Sequence, residues 1–216
     1  YEKERERRKT GKDLVAYTQY LQCYPFTIAE VFMSSSQNIF PIGLLQDQIE
    51  RIMRDKQLVN MGVKGELVMS EGKVEFRPDA SLREADFPIN KSRSNEGCVV
   101  IYEEPHYQGE RIPDKLYIAG TDPYAQDQAD TSPSLGSTFI YKRFFKAGVT
   151  HDKIVAEYTG RPKTSDEYYE NVRKLLIYYN ARCLYENNIP GMKQYFERKN
   201  SLHLLFKEPA FVKDVI

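Results

Sequence analysis

The sequence predicts an α/β protein in which helices flank a mixed β-sheet. Two observations lead to this prediction. From residue 97 onward, short apolar runs of strand length recur, and longer segments with apolar residues at helical spacing separate the later runs. With 41% apolar and 29% charged residues, a chain of 216 residues can form a packed core, which argues against general disorder. The first part of the chain has a different pattern, so we divide it into residues 1–60 and 61–216.

The first segment predicts helices, and the second begins with a hairpin. Residues 1–22 start with many charges and become amphipathic, and Pro25 would end that helix. Pro41 would open a second helix. The apolar residues of this second helix fall on one face: Leu45, Ile49, Ile52 and Met53. Residues 62–78 alternate between apolar and polar around Glu71-Gly72, which predicts a β-hairpin.

The remaining elements follow in the order of the chain. Strands are predicted at residues 98–102, 116–122, 137–145, 153–158 and 183–185, with a final strand at 201–206. Thr164 and Glu167 form a capping box that begins a helix. One face of this helix is predicted to be buried: Tyr168, Val172, Leu175, Leu176 and Tyr179. Pro190 suits the first turn of another helix that ends near residue 199.

This order predicts how two acidic residues meet. Three consecutive strands can form a meander, and a helical crossover can return the next strand to the same sheet. The strand that ends at Glu186 would then lie beside the strand that ends at Asp122. Carboxylates are the ligands that Mg²⁺ and Mn²⁺ prefer. The alternative from the pattern alone is that both residues are ordinary loop acids at the ends of strands.

Charge and cysteine usage limit the classes of function. The net charge is zero, so DNA binding would need a local basic surface. Residues 103–130 carry seven acidic residues, which would repel DNA unless cations bind there, although a solvated acidic loop is the simpler interpretation. Three cysteines lie far apart, and the apolar runs around Cys98 and Cys183 predict buried thiols in a reducing compartment. No membrane helix or signal peptide is visible. The chain starts without methionine, so we expect that it was cut from a longer protein.

Several motifs resemble those of the nuclease domain of large terminase subunits from tailed phages. Ala119-Gly120-Thr121-Asp122-Pro123, followed by Asp130, resembles the first catalytic motif, and Glu186-Asn187-Asn188-Ile189-Pro190-Gly191 resembles the second. Two further segments are similar to regions before the intervening helix and after the motor ATPase: residues 156–162 and 24–32. The resemblance covers the chain from about residue 20 to its end. The amino-acid sequence of residues 120–191 most resembles that of terminases of crAss-like phages.

The resemblance implies an RNase H-like fold and a metal-dependent endonuclease that cuts concatemeric double-stranded DNA during genome packaging. Asp122, Glu186 and Asp130 would be the catalytic metal ligands, with Asp127 as the alternative to Asp130. Two Mg²⁺ or Mn²⁺ ions would activate water and stabilise the leaving oxygen. Asn187 would orient Glu186 or form a turn. Candidate phosphate contacts are Lys142, Arg143, Arg161 and Lys163, although for each of them alone a solvated surface charge is the simpler interpretation.

The resemblance also implies partners and missing parts. The partners would be DNA, the small terminase subunit and the portal, in the cytoplasm of a host bacterium. Residues 1–60 would be the tail of the motor region, but no phosphate-binding loop of the motor ATPase is present. The family has a third acidic residue further along, and Asp214 lies too early for it, so we expect the nuclease domain to be incomplete at its C-terminus. The alternatives are a non-catalytic DNA-binding or assembly module, and a resolvase or transposase, which the segment at 24–32 disfavours.

Overall fold

The computed structural model describes residues 2–11, 13–26, 42–55, 62–85, 94–124, 134–144, 151–186 and 190–207. The chain divides into two compact units, Tyr1–Val59 and Asn60–Ile216. The division lies next to the boundary that we placed between residues 60 and 61. Among the described residues, no helix is both long enough and apolar enough to cross a membrane.

The described part of the first unit is helical. Helices α1 (Glu2–Lys9), α2 (Leu14–Cys23) and α3 (Ile42–Arg54) are separate elements. The single helix predicted over residues 1–22 is therefore wrong in its continuity, because Asp13 starts a new helix by accepting a hydrogen bond from the Ala16 N–H at 3.0 Å. Helix α3 follows Pro41 as predicted. Its apolar face is exposed: Leu45, Ile49, Ile52 and Met53.

The second unit contains one mixed sheet of seven strands. The strands are β1 (Val63–Ser70), β2 (Lys73–Pro78), β3 (Cys98–Ile101), β4 (Tyr117–Asp122), β5 (Gly136–Lys142), β6 (Lys153–Gly160) and β7 (Arg182–Tyr185). Their order across the sheet is β2-β1-β3-β6-β5-β4-β7. All neighbours are antiparallel except β4 and β7, which are parallel. The α/β class and the mixed sheet are thus confirmed.

The hairpin and the meander form as predicted. Strands β1 and β2 are joined by Glu71 and Gly72, whose positive φ values of 49° and 80° suit a tight two-residue turn. Strands β4, β5 and β6 pair in sequence, which is the predicted meander. The sequence left open where β1, β2 and β3 would lie. The structure places them in the same sheet, because β3 pairs with β6.

Helix α4 packs on the sheet and α5 packs against α4, and the apolar side chains of both helices join those of the sheet in one core. Helix α4 (Ser165–Tyr179) begins at Thr164, whose hydroxyl accepts a hydrogen bond from the Glu167 N–H at 3.2 Å. The residues predicted to be buried in α4 are all buried: Tyr168, Val172, Leu175, Leu176 and Tyr179. Helix α5 (Gly191–Arg198) follows Pro190 and buries Met192, Tyr195 and Phe196.

The strand predicted at residues 201–206 is wrong. Residues Leu202–Leu204 form a 3₁₀-helix, and only an isolated parallel bridge joins Leu205 to Cys183 of β7. Asn200 adopts a left-handed φ of 51°, which turns the chain as α5 ends. Leu204 and Leu205 are nevertheless buried in the core. The apolar pattern therefore predicted burial correctly but predicted the wrong backbone conformation.

Candidate functional site

The parallel pair β4 and β7 brings the two predicted acidic residues together. Ile118, Ala119, Gly120 and Thr121 of β4 pair with Arg182, Cys183, Leu184 and Tyr185 of β7. The next residue along each strand is Asp122 or Glu186. The helical crossover predicted from the sequence is therefore confirmed, since α4 connects the meander to β7. Neighbouring strands lie about 5 Å apart, so the two backbones reach the same end of the sheet side by side.

Asp122 and Glu186 also share a face of the sheet. Alternate residues of a strand point to opposite faces. Thr121 is buried against the helices, whereas Gly120 and Asp122 are exposed. In β7, Cys183 is buried and Leu184 is exposed, and Glu186, directly after the strand, is exposed as well. Because Gly120 pairs with Leu184, the exposed positions of both strands lie on the same face of the sheet, opposite the buried Thr121 and Cys183. The alternation puts the two carboxylates on that exposed face.

The other residues of the predicted ligand set lie outside the described residues. This applies to Asp130, to its alternative Asp127 and to Asn187. Among the residues that the structure describes, no three His, Cys, Asp or Glu side chains converge as a metal site would require. The described site is thus a pair of carboxylates. Their chemistry fits a hard divalent cation, which takes oxygen ligands and completes its shell with water.

A network of polar side chains lies beneath this pair, on the helix-covered face of the sheet. Its four members are Thr121, Thr138, Tyr168 and Cys183, which we call the hydroxyl–thiol network. The Thr121 and Thr138 hydroxyls are 3.0 Å apart, and Thr138 is 3.0 Å from the Tyr168 hydroxyl. The Cys183 thiol donates to Thr121 over 3.1 Å. The sequence did not predict this network, because threonine at alternating strand positions is common for its β propensity alone.

Burial dominates the electrostatics of the network. It raises the pKa of the Cys183 thiol to about 12, even though the hydrogen bond to Thr121 acts in the opposite direction. It also raises the pKa of Tyr168, which is fully buried. Both groups therefore stay protonated at neutral pH and serve as hydrogen-bond donors or acceptors without charge.

The four basic residues predicted to contact phosphate lie in different places. Lys142 is only 3% exposed, and its amine pairs with the Glu103 carboxylate. The phosphate contact predicted for Lys142 is therefore wrong, because a buried, paired ammonium is not presented to DNA. Arg143 follows β5 at the opposite end of the sheet from Asp122.

Arg161 and Lys163 follow β6 at the same end of the sheet as Asp122. This placement comes from the register, in which Asp122 pairs with Ser137 and Ser137 pairs with Thr159. The Arg161 guanidinium donates to the Ser134 carbonyl at 2.6 Å and lies 4.4 Å from the centre of the Tyr124 ring. Arg161 thus holds neighbouring segments together, and Lys163 is the more exposed of the two cations.

Comparison of the chain with protein families, curated proteins and solved structures found no match. The interpretation of the site therefore depends on the residues and geometry described above.

Proposed function

We propose that the second unit is an RNase H-like, metal-dependent endonuclease domain, of the kind found in large terminase subunits of tailed phages. Its substrate would be concatemeric double-stranded DNA, cut during genome packaging in the bacterial host. The single observation that carries this proposal is that Asp122 and Glu186 come directly after the paired residues Thr121 and Tyr185, at the carboxyl ends of adjacent parallel strands. Ligands of open α/β sheets commonly bind at this edge.

The chain's own residues would hold and orient the reacting groups. Asp122 and Glu186 would bind Mg²⁺ or Mn²⁺ through carboxylate oxygens. The bound ions would supply the positive charge needed to activate water and to stabilise the leaving oxygen. Lys163 lies at the same end of the sheet and would contact a backbone phosphate, which positions DNA without reading its sequence.

The proposed partners follow from this function. The domain would act with the motor ATPase, the small terminase subunit and the portal. Asp130 would add a further carboxylate to the two metal ligands. The main alternative is a module that binds DNA or assembles the packaging motor without cutting. Both possibilities use the same DNA-facing surface, but only the nuclease requires the two carboxylates to bind a cation.

Mn²⁺ binding to the 216-residue chain tests the proposal. We expect calorimetry to show binding that Asp122→Asn and Glu186→Gln each weaken by more than about tenfold, since even the loss of a residue that only supports a metal ligand costs about 10–100-fold. Glu75→Gln is the matched control, because Glu75 is an exposed carboxylate on β2 at the far edge of the sheet. Equal Mn²⁺ affinity in all four proteins would refute the metal site.

DNA cleavage separates the nuclease from the alternative. In the intact protein, linear and plasmid DNA should be cut in the presence of Mn²⁺, and Asp122→Asn should abolish the cutting. If the intact protein binds Mn²⁺ through the two carboxylates but retains DNA without cutting it, even at high protein concentration, the non-catalytic module becomes the better explanation.

A further inference from the structure

The helix-covered face of the sheet changes character beneath the carboxylate pair. One row across the strands is apolar apart from a thiol: Cys183, Ala119, Ile140, Ala156 and Ile101. The next row, at the level of the carboxylate pair, contains four hydroxyl groups: Tyr185, Thr121, Thr138, Tyr158 and Val99. Polar side chains are thus concentrated at the end of the sheet that carries Asp122 and Glu186.

The hydroxyl–thiol network connects three strands and a helix at this level. Thr121 belongs to β4, Thr138 to β5, Cys183 to β7 and Tyr168 to α4. Thr121 is 7% exposed and the other three members are fully buried. Gly136 makes room for the tyrosine, because a Cβ added there would lie 2.4 Å from the Tyr168 ring. A side chain at that position would displace the ring from Thr138.

Stability alone does not require this arrangement. A buried hydroxyl costs free energy unless it is hydrogen-bonded, and an apolar side chain of the same shape can replace a bonded pair at little or no cost. The adjacent row has an apolar pair in the equivalent place, since Ala119 pairs with Ile140. The network adds geometric precision, because hydrogen bonds fix distances and rotamers more tightly than apolar contacts do.

The network acts at the residues nearest to the carboxylates. Thr121 immediately precedes Asp122 and pairs across the sheet with Tyr185, which immediately precedes Glu186. The Thr121 hydroxyl is bonded on one side to β5 and on the other to β7. The positions from which both carboxylates emerge are therefore fixed relative to each other by contacts on the opposite face of the sheet.

We propose that the hydroxyl–thiol network holds Asp122 and Glu186 at the spacing needed to bind one cation together, so that Thr121, Thr138 and Tyr168 are positioning residues for the site. This inference rests on the proposed function, because it assumes that the two carboxylates bind a metal. It extends that function to residues that never touch the ion.

A double variant tests this role while keeping the shapes of the side chains. Thr138→Val with Tyr168→Phe removes the hydrogen bonds that Thr138 makes with Tyr168 and with Thr121, and Thr121 keeps the bond from the Cys183 thiol. We expect its Mn²⁺ affinity to fall about tenfold, the scale seen when residues that support metal ligands are lost. Its melting temperature without metal should change little, because the side-chain shapes are kept and Thr121 retains its bond from Cys183. A purely structural role predicts the opposite, namely lower stability together with unchanged affinity.

Two controls complete the experiment. Thr138→Ser keeps the hydroxyl and should bind Mn²⁺ like the original chain. Tyr179→Phe removes a buried hydroxyl of α4 that donates to the Glu103 carbonyl, far from the carboxylate pair, and should also leave the affinity unchanged. If Asp122→Asn weakens binding but the double variant does not, the inference fails and the proposed function stands. If Asp122→Asn has no effect, both fail.

Discussion

The three cysteines differ sharply in their surroundings. Cys23 is exposed, whereas Cys98 and Cys183 are buried in the sheet. Burial raises the pKa of Cys98 to about 11 and that of Cys183 to about 12. Since the thiolate is the reactive form, both buried thiols are protected by inaccessibility and by a scarcity of thiolate.

Alkylation should therefore distinguish the cysteines. Iodoacetamide at pH 8 is expected to modify only Cys23 in the native chain and all three cysteines after denaturation, as counted by mass spectrometry. Cys23→Ser is the control and should leave the native chain unmodified. Rapid modification of Cys183 in the native chain would show that β7 is not packed as the structure has it.

At the candidate site, the sequence predicts that the two acidic residues are neighbours but does not predict the hydroxyl–thiol network beneath them. The neighbouring positions of Asp122 and Glu186 could be predicted because each stands at the end of an apolar strand and a helical crossover returns the second strand to the same sheet. Thr138 could not, because threonine occurs in many strands for its β propensity alone. Its role depends on Tyr168, thirty positions away, and on the absence of a side chain at Gly136.

At the scale of single elements, local chemistry predicts where helices and turns begin. Glu71-Gly72 predicts the hairpin because two consecutive residues need positive φ. The prediction for residues 201–206 fails for a complementary reason. A short apolar run fits a strand and a buried 3₁₀-helix equally well, and the choice is made by the turn at Asn200 and by packing against β7.

The start of α4 offers a direct measurement of such a local signal. Thr164→Ala should lower the free energy of unfolding by about 1 kcal/mol, because the Glu167 N–H loses its hydrogen-bond acceptor at the first turn. Urea denaturation would measure the difference. Thr164→Ser keeps the hydroxyl and should retain most of the stability. Equal stability of the alanine variant and the original chain would show that water replaces the cap without loss.

At the scale of the whole second unit, the order of the strands was the hardest feature to predict. The meander and the crossover follow from general rules of connection, since they join elements that are close in sequence. The pairing of β3 with β6 joins residues more than fifty positions apart, for example Ile101 with Ala156. Nothing local specifies that contact, so the sequence predicted the strand and not its neighbour.

Two ionic clusters stabilise this unit at different places. Glu103 follows β3 and pairs with Lys142 of β5 and Lys153 of β6. Burial acts to raise the pKa of Glu103, but hydrogen bonds from the two lysines outweigh it and lower the pKa. The second cluster is in α4 around Glu170. Burial acts to raise the pKa of Glu170, but hydrogen bonds from Arg173 and Tyr195 outweigh this effect and lower the pKa.

Acid should therefore destabilise the unit through these two carboxylates. Their folded pKa values lie below the ordinary value of 4.5, so the folded state binds fewer protons than the unfolded state. The stabilisation is complete above that value and is lost as the pH falls through the lower folded values. Urea denaturation between pH 7 and pH 3 should show the loss. Glu103→Gln should reduce the dependence of the unfolding free energy on pH, whereas Glu75→Gln should not.

Glu157 acts in the opposite sense, because burial raises its pKa. A stability that rises on acidification below pH 4.5 would mean that groups such as Glu157 outweigh the ionic clusters.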